Sequence, residues 1–384
     1  MIIGIDASRA NKTKKTGVEW YSYHIIEQLK KIDKDNRYFL YTDKPLTGDL
    51  AKCPSNFEEK VLKWPSTTLF SWISRIRVLG KPLPKFWTLG RLSLEMLFGK
   101  KPDLLFVPAH TIPLFNPKKV IVTVHDIGFE HFPELYSWAD KLYHKISIRF
   151  IKKFADKIIT VSKFSKEDIA NFYKIDPKKI KVVYNGYDNV TYKLLQNFEP
   201  KLTSKYILYI GRLEEKKNTA GLVEAFSKFK KDQPEDQHKL VLIGKPGFGF
   251  EEVEENIKKY NLADDVVLPG WVDDDDLPIW LNGADLFVFP SLFEGFGIPV
   301  LEAMSCGCPV ICSNTTSLPE AAGEAALLFD PNKIDDIVFR MKQVLLNPEV
   351  AESLQQKGLI HCQNFSWQKS AEETLKELIE VSQN

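Results

Sequence analysis

Short apolar runs rich in Val, Ile, Phe and Tyr alternate along the whole chain with longer stretches of helical period, and that alternation excludes most folds. It is the pattern of parallel α/β construction, in which strands buried on both faces are joined by crossover helices. In the first half the strand candidates are MIIGID, RYFLYT, DLLFVP, KVIVTVHD and KIITVS, with helices expected at EWYSYHIIEQLKKI and SWADKLYHKISIRFIKKF. The pattern then restarts with KYILYIGR, KLVLIGK, DVVLPG, DLFVFPS and CPVICS, and NTAGLVEAFSKFKK reads as a helix among them. A polar, weakly patterned stretch, NVTYKLLQNFEPKLTSK (189–205), separates the halves and reads as a linker. The expectation is an α/β protein of two doubly wound, Rossmann-like domains, residues 1–190 and 200–366, with a terminal helix at 367–384 packing back on the first. In each domain the loops at the carboxyl ends of the strands would face a cleft between the two.

Composition sets the outer bounds. With 384 residues, 44% of them hydrophobic, the chain can fill two cores of ordinary size. Its five cysteines show no zinc spacing and no disulfide framework, so a reducing cytoplasm is the expected setting. The start, MIIGIDAS, lacks a signal-peptide layout, and no apolar run approaches the roughly 18 to 20 residues of a membrane span. A net charge of +1 conceals a division, because residues 1–200 hold 34 basic and 21 acidic side chains while 201–384 hold 18 and 30. That asymmetry reads either as two domains with different partners or as chance surface composition.

The stretch SLFEGFGIPVLEAMSCGC (291–308) carries the most chemistry. It follows the buried run DLFVFPS, and Ile298–Pro299 suits the start of a helix ending near Gly307. Gly295 and Gly297 would let the backbone approach a ligand, and the open helix end favours an anion. Glu302 falls in the first turns, where a carboxylate can accept hydrogen bonds from a ribose diol; Glu294, on the loop, would point beyond the phosphates. Either glutamate alone reads equally as a solvated or helix-stabilising charge; the constellation does not.

These residues resemble a known family. E-G-F-G-I-P-V-L-E is similar to the E-x7-E motif of retaining glycosyltransferases of the GT-B fold, family 4, and the likeness extends over essentially the whole chain. The resemblance implies transfer of a sugar from a nucleotide diphosphate donor with retention, Glu294 contacting the sugar, Glu302 the ribose, and the backbone around Phe296, Gly297, Ile298, Pro299 and Val300 the phosphates. It also implies a metal-independent reaction with no cofactor.

Three more loops bear on that expectation. KYILYIGRLEEKKN places Arg212 and Lys217 after a strand, where the two cations could neutralise a departing diphosphate; alone it reads equally as a solvated basic loop. In KKVIVTVHDIGFEHFPE, His125 and Asp126 sit where a strand meets a loop, and the family resemblance puts such a histidine near the transferred sugar. The extended HDIGFEHFPE looks like the mannosyltransferase branch, which makes GDP-mannose the first donor candidate. Gly17 opens the first helix, where relatives often show two glycines and this chain has Thr16-Gly17; close approach to a phosphate and an ordinary turn are both open readings. Asn185 and Gly186 match the family's turn at the end of the first domain, though Asn-Gly is also simply a good turn.

Two signals are set aside. Asp273 to Asp276 point in different directions and precede LPIWLNGAD, where they read as helix cap and first-turn charge and not as a metal site. GKPGFGF is glycine-rich but is not G-x-G-x-x-G. Residues 63–101 combine eight basic side chains and six Trp or Phe with Glu95 alone, which fits either a peripheral surface for an anionic membrane or core-packed helices. Nucleic acid is not expected, since no binding module accompanies the charge. The partners expected are a nucleotide sugar and a glycan or lipid-linked acceptor. With no carboxylate obviously placed as a nucleophile, displacement from the front face fits better than a covalent intermediate. The rival readings are an epimerase or a pyridoxal-dependent phosphorylase of the same fold, and a catalytically silent binding protein.

Overall fold

Every strand of the two large sheets runs parallel to its neighbours. The computed structural model describes residues 1–63 and 87–383, with backbone alone at 77–78 and 81–82. Most of the basic, aromatic stretch 63–101, namely 64–86, therefore lies outside the described side chains. The chain divides into two units: Met1–Val161 with Ser165–Tyr184 and Trp367–Asn384, and Ser162–Phe164 with Asn185–Ser366.

The strands in chain order are β1 (Ile2–Asp6), β2 (Arg37–Thr42), β3 (Phe57–Val61), β4 (Arg77–Val78), β5 (Lys81–Pro82), β6 (Leu104–Val107), β7 (Lys119–Thr123), β8 (Lys157–Thr160) and β9 (Ile180–Val182) in the first unit. The second has β10 (Tyr206–Ile210), β11 (Lys239–Ile243), β12 (Val266–Gly270), β13 (Leu286–Phe289), β14 (Val310–Ser313) and β15 (Leu327–Phe329). The first sheet runs β3-β2-β1-β6-β7-β8-β9 and the second β12-β11-β10-β13-β14-β15, while β4 and β5 form a short antiparallel pair. Leu104–Val107, Leu286–Phe289 and Val310–Ser313 are buried at every position, as strands covered on both faces must be. Both sheets are doubly wound, and each reverses its strand order beside its first strand, β1 or β10.

β3, β9 and β15, all edge strands, are absent from the list read off the sequence. FEEKV carries three charges, and β9 and β15 have three residues each, so none makes the apolar run of a central strand. The stretch 189–205 also differs from a free connector. Tyr192 is buried, Leu195 N–H donates to Asn282 at 2.8 Å, and Lys201 pairs with Asp276 at 2.9 Å.

The last helix, Trp367–Gln383, belongs to the first unit. Its buried residues, Trp367, Ser370, Ala371, Thr374, Glu377, Leu378 and Val381, repeat at three and four, which is one helix face. Trp367 stacks on His24 of the Gly17–Ile32 helix at 4.9 Å and meets Tyr21 edge-on at 6.0 Å. Lower on the same face, buried Glu377 lies 3.3 Å from Lys157 and 3.2 Å from Lys181. Trp367→Ala should therefore destabilise the first unit by about 3–5 kcal/mol, the usual cost of emptying a buried aromatic site, seen by calorimetry as a lower-temperature transition.

Candidate active site

The reversal beside β10 sends the loops after β10 and β13 to one place at the carboxyl edge of the second sheet. Leu292 N–H donates to the Lys216 carbonyl at 2.9 Å and ties the two loops together. After β10 the chain makes a single turn at Glu215–Lys217, then passes through Asn218 at φ +53° into the Thr219–Asp232 helix. Lys217 Nζ stands 2.5 Å from Glu294 Oε1, and the side chains are only 16% and 13% exposed. Arg212 lies on the same loop, largely exposed, with Nε 3.4 Å from Glu214. Lys217 and Glu294, read from separate motifs, thus form one ion pair.

Glu294 is held from a third loop. Its N–H donates to Thr316 Oγ1 at 3.2 Å, and the buried Ser317 hydroxyl donates to the carbonyls of Glu294 at 2.9 Å and Phe296 at 3.1 Å. Sequence reading missed these two residues; they follow β14, more than twenty positions on, and no local pattern marks them. Gly297 sits at φ +108°, where an added Cβ would come 2.6 Å from Leu318. A side chain is excluded there on both backbone and steric grounds.

The Ile298–Ser305 helix starts directly after Gly297. Phe296 is buried and packs edge-on against Phe365 at 5.7 Å, so its ring belongs to the core. Pro299 has no N–H, and the Val300 N–H already donates to the Gly297 carbonyl at 3.0 Å. That removes Pro299 and Val300 from the expected row of phosphate-facing amides; the Gly297 and Ile298 N–H groups make no hydrogen bond among the described residues.

Glu302 lies one turn further along. Burial, and after it the negative charges of Asp274 and Asp188, push its carboxyl up to about 8. Its carboxyl has no hydrogen-bonding partner among the described residues, and burial with the two neighbouring charges favours its protonated form. The acidic run thus contributes Asp274 to the surroundings of Glu302. Asp276 occupies the cap position of the Leu277–Gly283 helix without a side-chain cap bond, its carboxylate going to Lys201 instead.

The remaining site residues stand elsewhere. In the first unit, His125 Nε2 lies 3.3 Å from the Pro108 carbonyl and its ring meets Tyr21 edge-on at 4.7 Å. A carbonyl only accepts, so Nε2 carries the proton and Nδ1 is the acceptor. Burial lowers the imidazole's proton affinity further than the Pro108 bond and Asp126 raise it, which keeps it neutral. Asp126 accepts from Gly128 N–H at 2.8 Å and shapes the next turn. Gly17 is exposed, with open space where a side chain would begin. Beside it Glu19 collects Thr16, Arg9 at 3.1 Å and Lys12 at 3.1 Å. Burial would raise that carboxyl, but the Thr16 and Lys12 hydrogen bonds and the Lys12 charge outweigh it and bring it to about 2. The Thr16-x-x-Glu19 spacing of a capping box was available in the sequence. Asn185, in the second unit, is buried with its Oδ1 unpartnered among the described residues.

Two doubly wound units, one of them carrying a cation, a carboxylate and open amides at its reversal point, are the architecture of the GT-B class. The chain belongs to the family 4, group 1 glycosyltransferases: residues 16–189 match the model described as Glycosyltransferase Family 4, and 193–360 that described as Glycosyl transferases group 1. It is 32% identical over 274 residues to the O-antigen chain mannosyltransferase B of Escherichia coli, covering 67% of this chain and 69% of that protein. Similarity at 31% links it to the N-acetylgalactosamine-N,N'-diacetylbacillosaminyl-diphospho-undecaprenol 4-alpha-N-acetylgalactosaminyltransferase of Campylobacter jejuni, over 75% of this chain and 76% of the other. In fold it is similar to sucrose-phosphate synthase from Thermosynechococcus elongatus (TM-score 0.74, 19% identity, 99% of each chain). It is likewise similar to Anabaena HepE solved with UDP and glucose (TM-score 0.71, 18% identity, 99% of each chain).

Because the Glu302 carboxyl is raised from 4.5 to about 8, its protonated form belongs to the folded state, and stability falls as pH climbs through that window. Glu302→Gln should flatten the pH dependence of Tm over the same window and raise Tm above it, as followed by thermal denaturation of ligand-free protein.

Proposed function

We propose that the enzyme moves a hexose, mannose from GDP-mannose as first choice, from a nucleotide diphosphate sugar to a glycan or lipid-linked acceptor, with retention and without a metal ion. The Lys217–Glu294 pair beside the unengaged Gly297 and Ile298 amides carries this reading. It offers a cation and an amide cradle for a diphosphate, and a carboxylate for sugar hydroxyls, on two loops joined at Leu292. The choice of mannose leans on the mannosyltransferase relative, and the lipid-linked acceptor on the relative whose name includes diphospho-undecaprenol.

In this scheme the acceptor oxygen forms its bond to the anomeric carbon on the face from which the diphosphate departs. The carbon–oxygen bond to the phosphate breaks, its electron pair goes to the phosphate oxygen, and that oxygen takes the acceptor's proton. Arg212 and Lys217 neutralise the developing charge. Before this, the incoming diphosphate draws Lys217 off Glu294, and the freed carboxylate accepts hydrogen bonds from the sugar. Exchanging one partner for another avoids leaving either half-buried charge bare. His125, as a neutral acceptor, and Asp126 serve the sugar side, Gly17 the phosphates, and Asn185 the sugar or acceptor through its unpartnered oxygen.

A panel of nucleotide sugars followed by thermal shift tests the donor, with GDP-mannose expected to stabilise most by mass action. Product NMR should show the donor's anomeric configuration kept; an inverted product, or no shift with any donor, would sink the reading. Lys217→Ala should lower turnover about a hundredfold or more, by analogy with the loss of an oxyanion donor. Glu294→Gln should slow transfer yet tighten binding of GDP severalfold in calorimetry, since the diphosphate no longer competes with a carboxylate for Lys217. That gain should vanish in a Lys217→Met background.

A further inference from the structure

The loop after β6 carries His110 to the carboxyl edge of the first sheet, the edge that His125 and Asp126 share. It is pinned on both sides of that residue. The His125 ring bonds the Pro108 carbonyl at 3.3 Å, and Thr111 lies 2.9 Å from the Tyr143 hydroxyl and 3.3 Å from Ser147 of the Trp138–Phe154 helix. His110 itself makes no hydrogen bond among the described residues, and its side chain is only partly buried. Its ring centroid stands 4.6 Å from that of His144, on the same helix as Tyr143. His144 is held among aromatic rings, stacked on Phe129 at 4.8 Å and edge-on to Tyr143 at 5.5 Å. Yet its Nδ1 is buried with no partner among the described residues. Phenylalanine would pack as well without leaving a bare nitrogen, so packing does not account for an imidazole at this position. The charges of Arg9 and Asp126 act on both rings.

We propose that His110 holds a hydroxyl of the acceptor sugar and that His144 positions it, the bare Nδ1 of His144 bonding the His110 ring as that ring turns to the ligand. The inference rests on the sugar-transfer reading above and adds to it the side chains that grip the acceptor. Burial, and after it the charges of His144, Arg9 and His125, push His110 down to about 3, and burial lowers His144 as well, which favours the neutral form of both rings. A neutral imidazole has one N–H donor and one bare acceptor, the same pair that a hydroxyl needs to meet. One N–H···N bond between the two rings leaves a donor or an acceptor of His110 for the ligand, and a hydroxyl satisfies either. A phosphate offers acceptors alone. It would call for imidazolium, which burial opposes, and would meet the carboxylate of Asp126 beside the rings.

Proton–nitrogen correlation spectra of the histidine side chains test this in the full chain, titrated with the methyl α-glycosides of mannose, galactose and N-acetylglucosamine. His110→Phe and His144→Phe assign the cross-peaks. At least one glycoside should shift His110 and the His144 Nδ1 together and saturably. His144→Phe should keep or raise Tm, because a bare buried nitrogen is removed, yet weaken that glycoside about tenfold, the loss of about one hydrogen bond, and reduce the movement of the His110 cross-peaks. His110→Phe should abolish the shift of His144. No movement of His110 with any of the glycosides, or undiminished affinity in His144→Phe, overturns the proposal. So does inorganic pyrophosphate driving both rings to imidazolium positions, since the site is then one for anions. Calorimetry with GDP and the nucleotide-sugar panel on the same samples reads the donor site separately. Donor binding without any glycoside response refutes this inference alone, whereas a glycoside response without donor binding supports the subsite and counts against the transfer reading.

Discussion

The second unit depends on a single strand having neighbours that come from different directions in the chain. β10 bonds β11 on one side and β13 on the other, so the connections leaving β10 and β13 diverge and a crevice opens at their carboxyl ends. Only that arrangement lets Lys217 reach Glu294 across 77 residues of sequence. It also demands close backbone packing, because at Gly244, φ +152°, a Cβ would stand 1.7 Å from the Gly211 carbonyl oxygen. The glycine-rich run GKPGFGF, set aside as a nucleotide fingerprint, is needed to let neighbouring strand ends approach.

Three carboxylates show three answers to leaving water. Glu19 keeps its charge by gathering a hydroxyl and two cations, and becomes a stronger acid. Glu294 is paired with one cation, Lys217, the partner that the proposed diphosphate would take. Glu302 has the acids Asp274 and Asp188 near it, and burial with their charges favours its protonated form. The first arrangement is static, the second exchangeable and the third titratable, and the latter two sit where the ligand is proposed to bind.

How much of this was legible depends on range. The central strands could be read because burial on both faces leaves an unbroken apolar run; FEEKV, IKV and LLF could not, because edge strands need no such run. Glu294, Gly297 and the Pro299 helix start were readable as a local unit. The tie from Ser317 to that loop was not, since it depends on how β14 follows β13. Phe296 was read through its backbone alone, and its ring, which no motif placed, packs against Phe365. The 189–205 stretch looked like a linker by composition, yet its few apolar residues, Tyr192 among them, suffice to dock it.

Because Trp367 and the residues after it complete the first unit, the chain's two ends are joined in one cooperative body while the middle forms another. During synthesis the early sheet waits with the face meant for Trp367 uncovered until residues 367–383 have been made, whereas the segments of the second unit precede them. Order of synthesis and order of completion are thereby reversed, and the unit begun first is the one closed last.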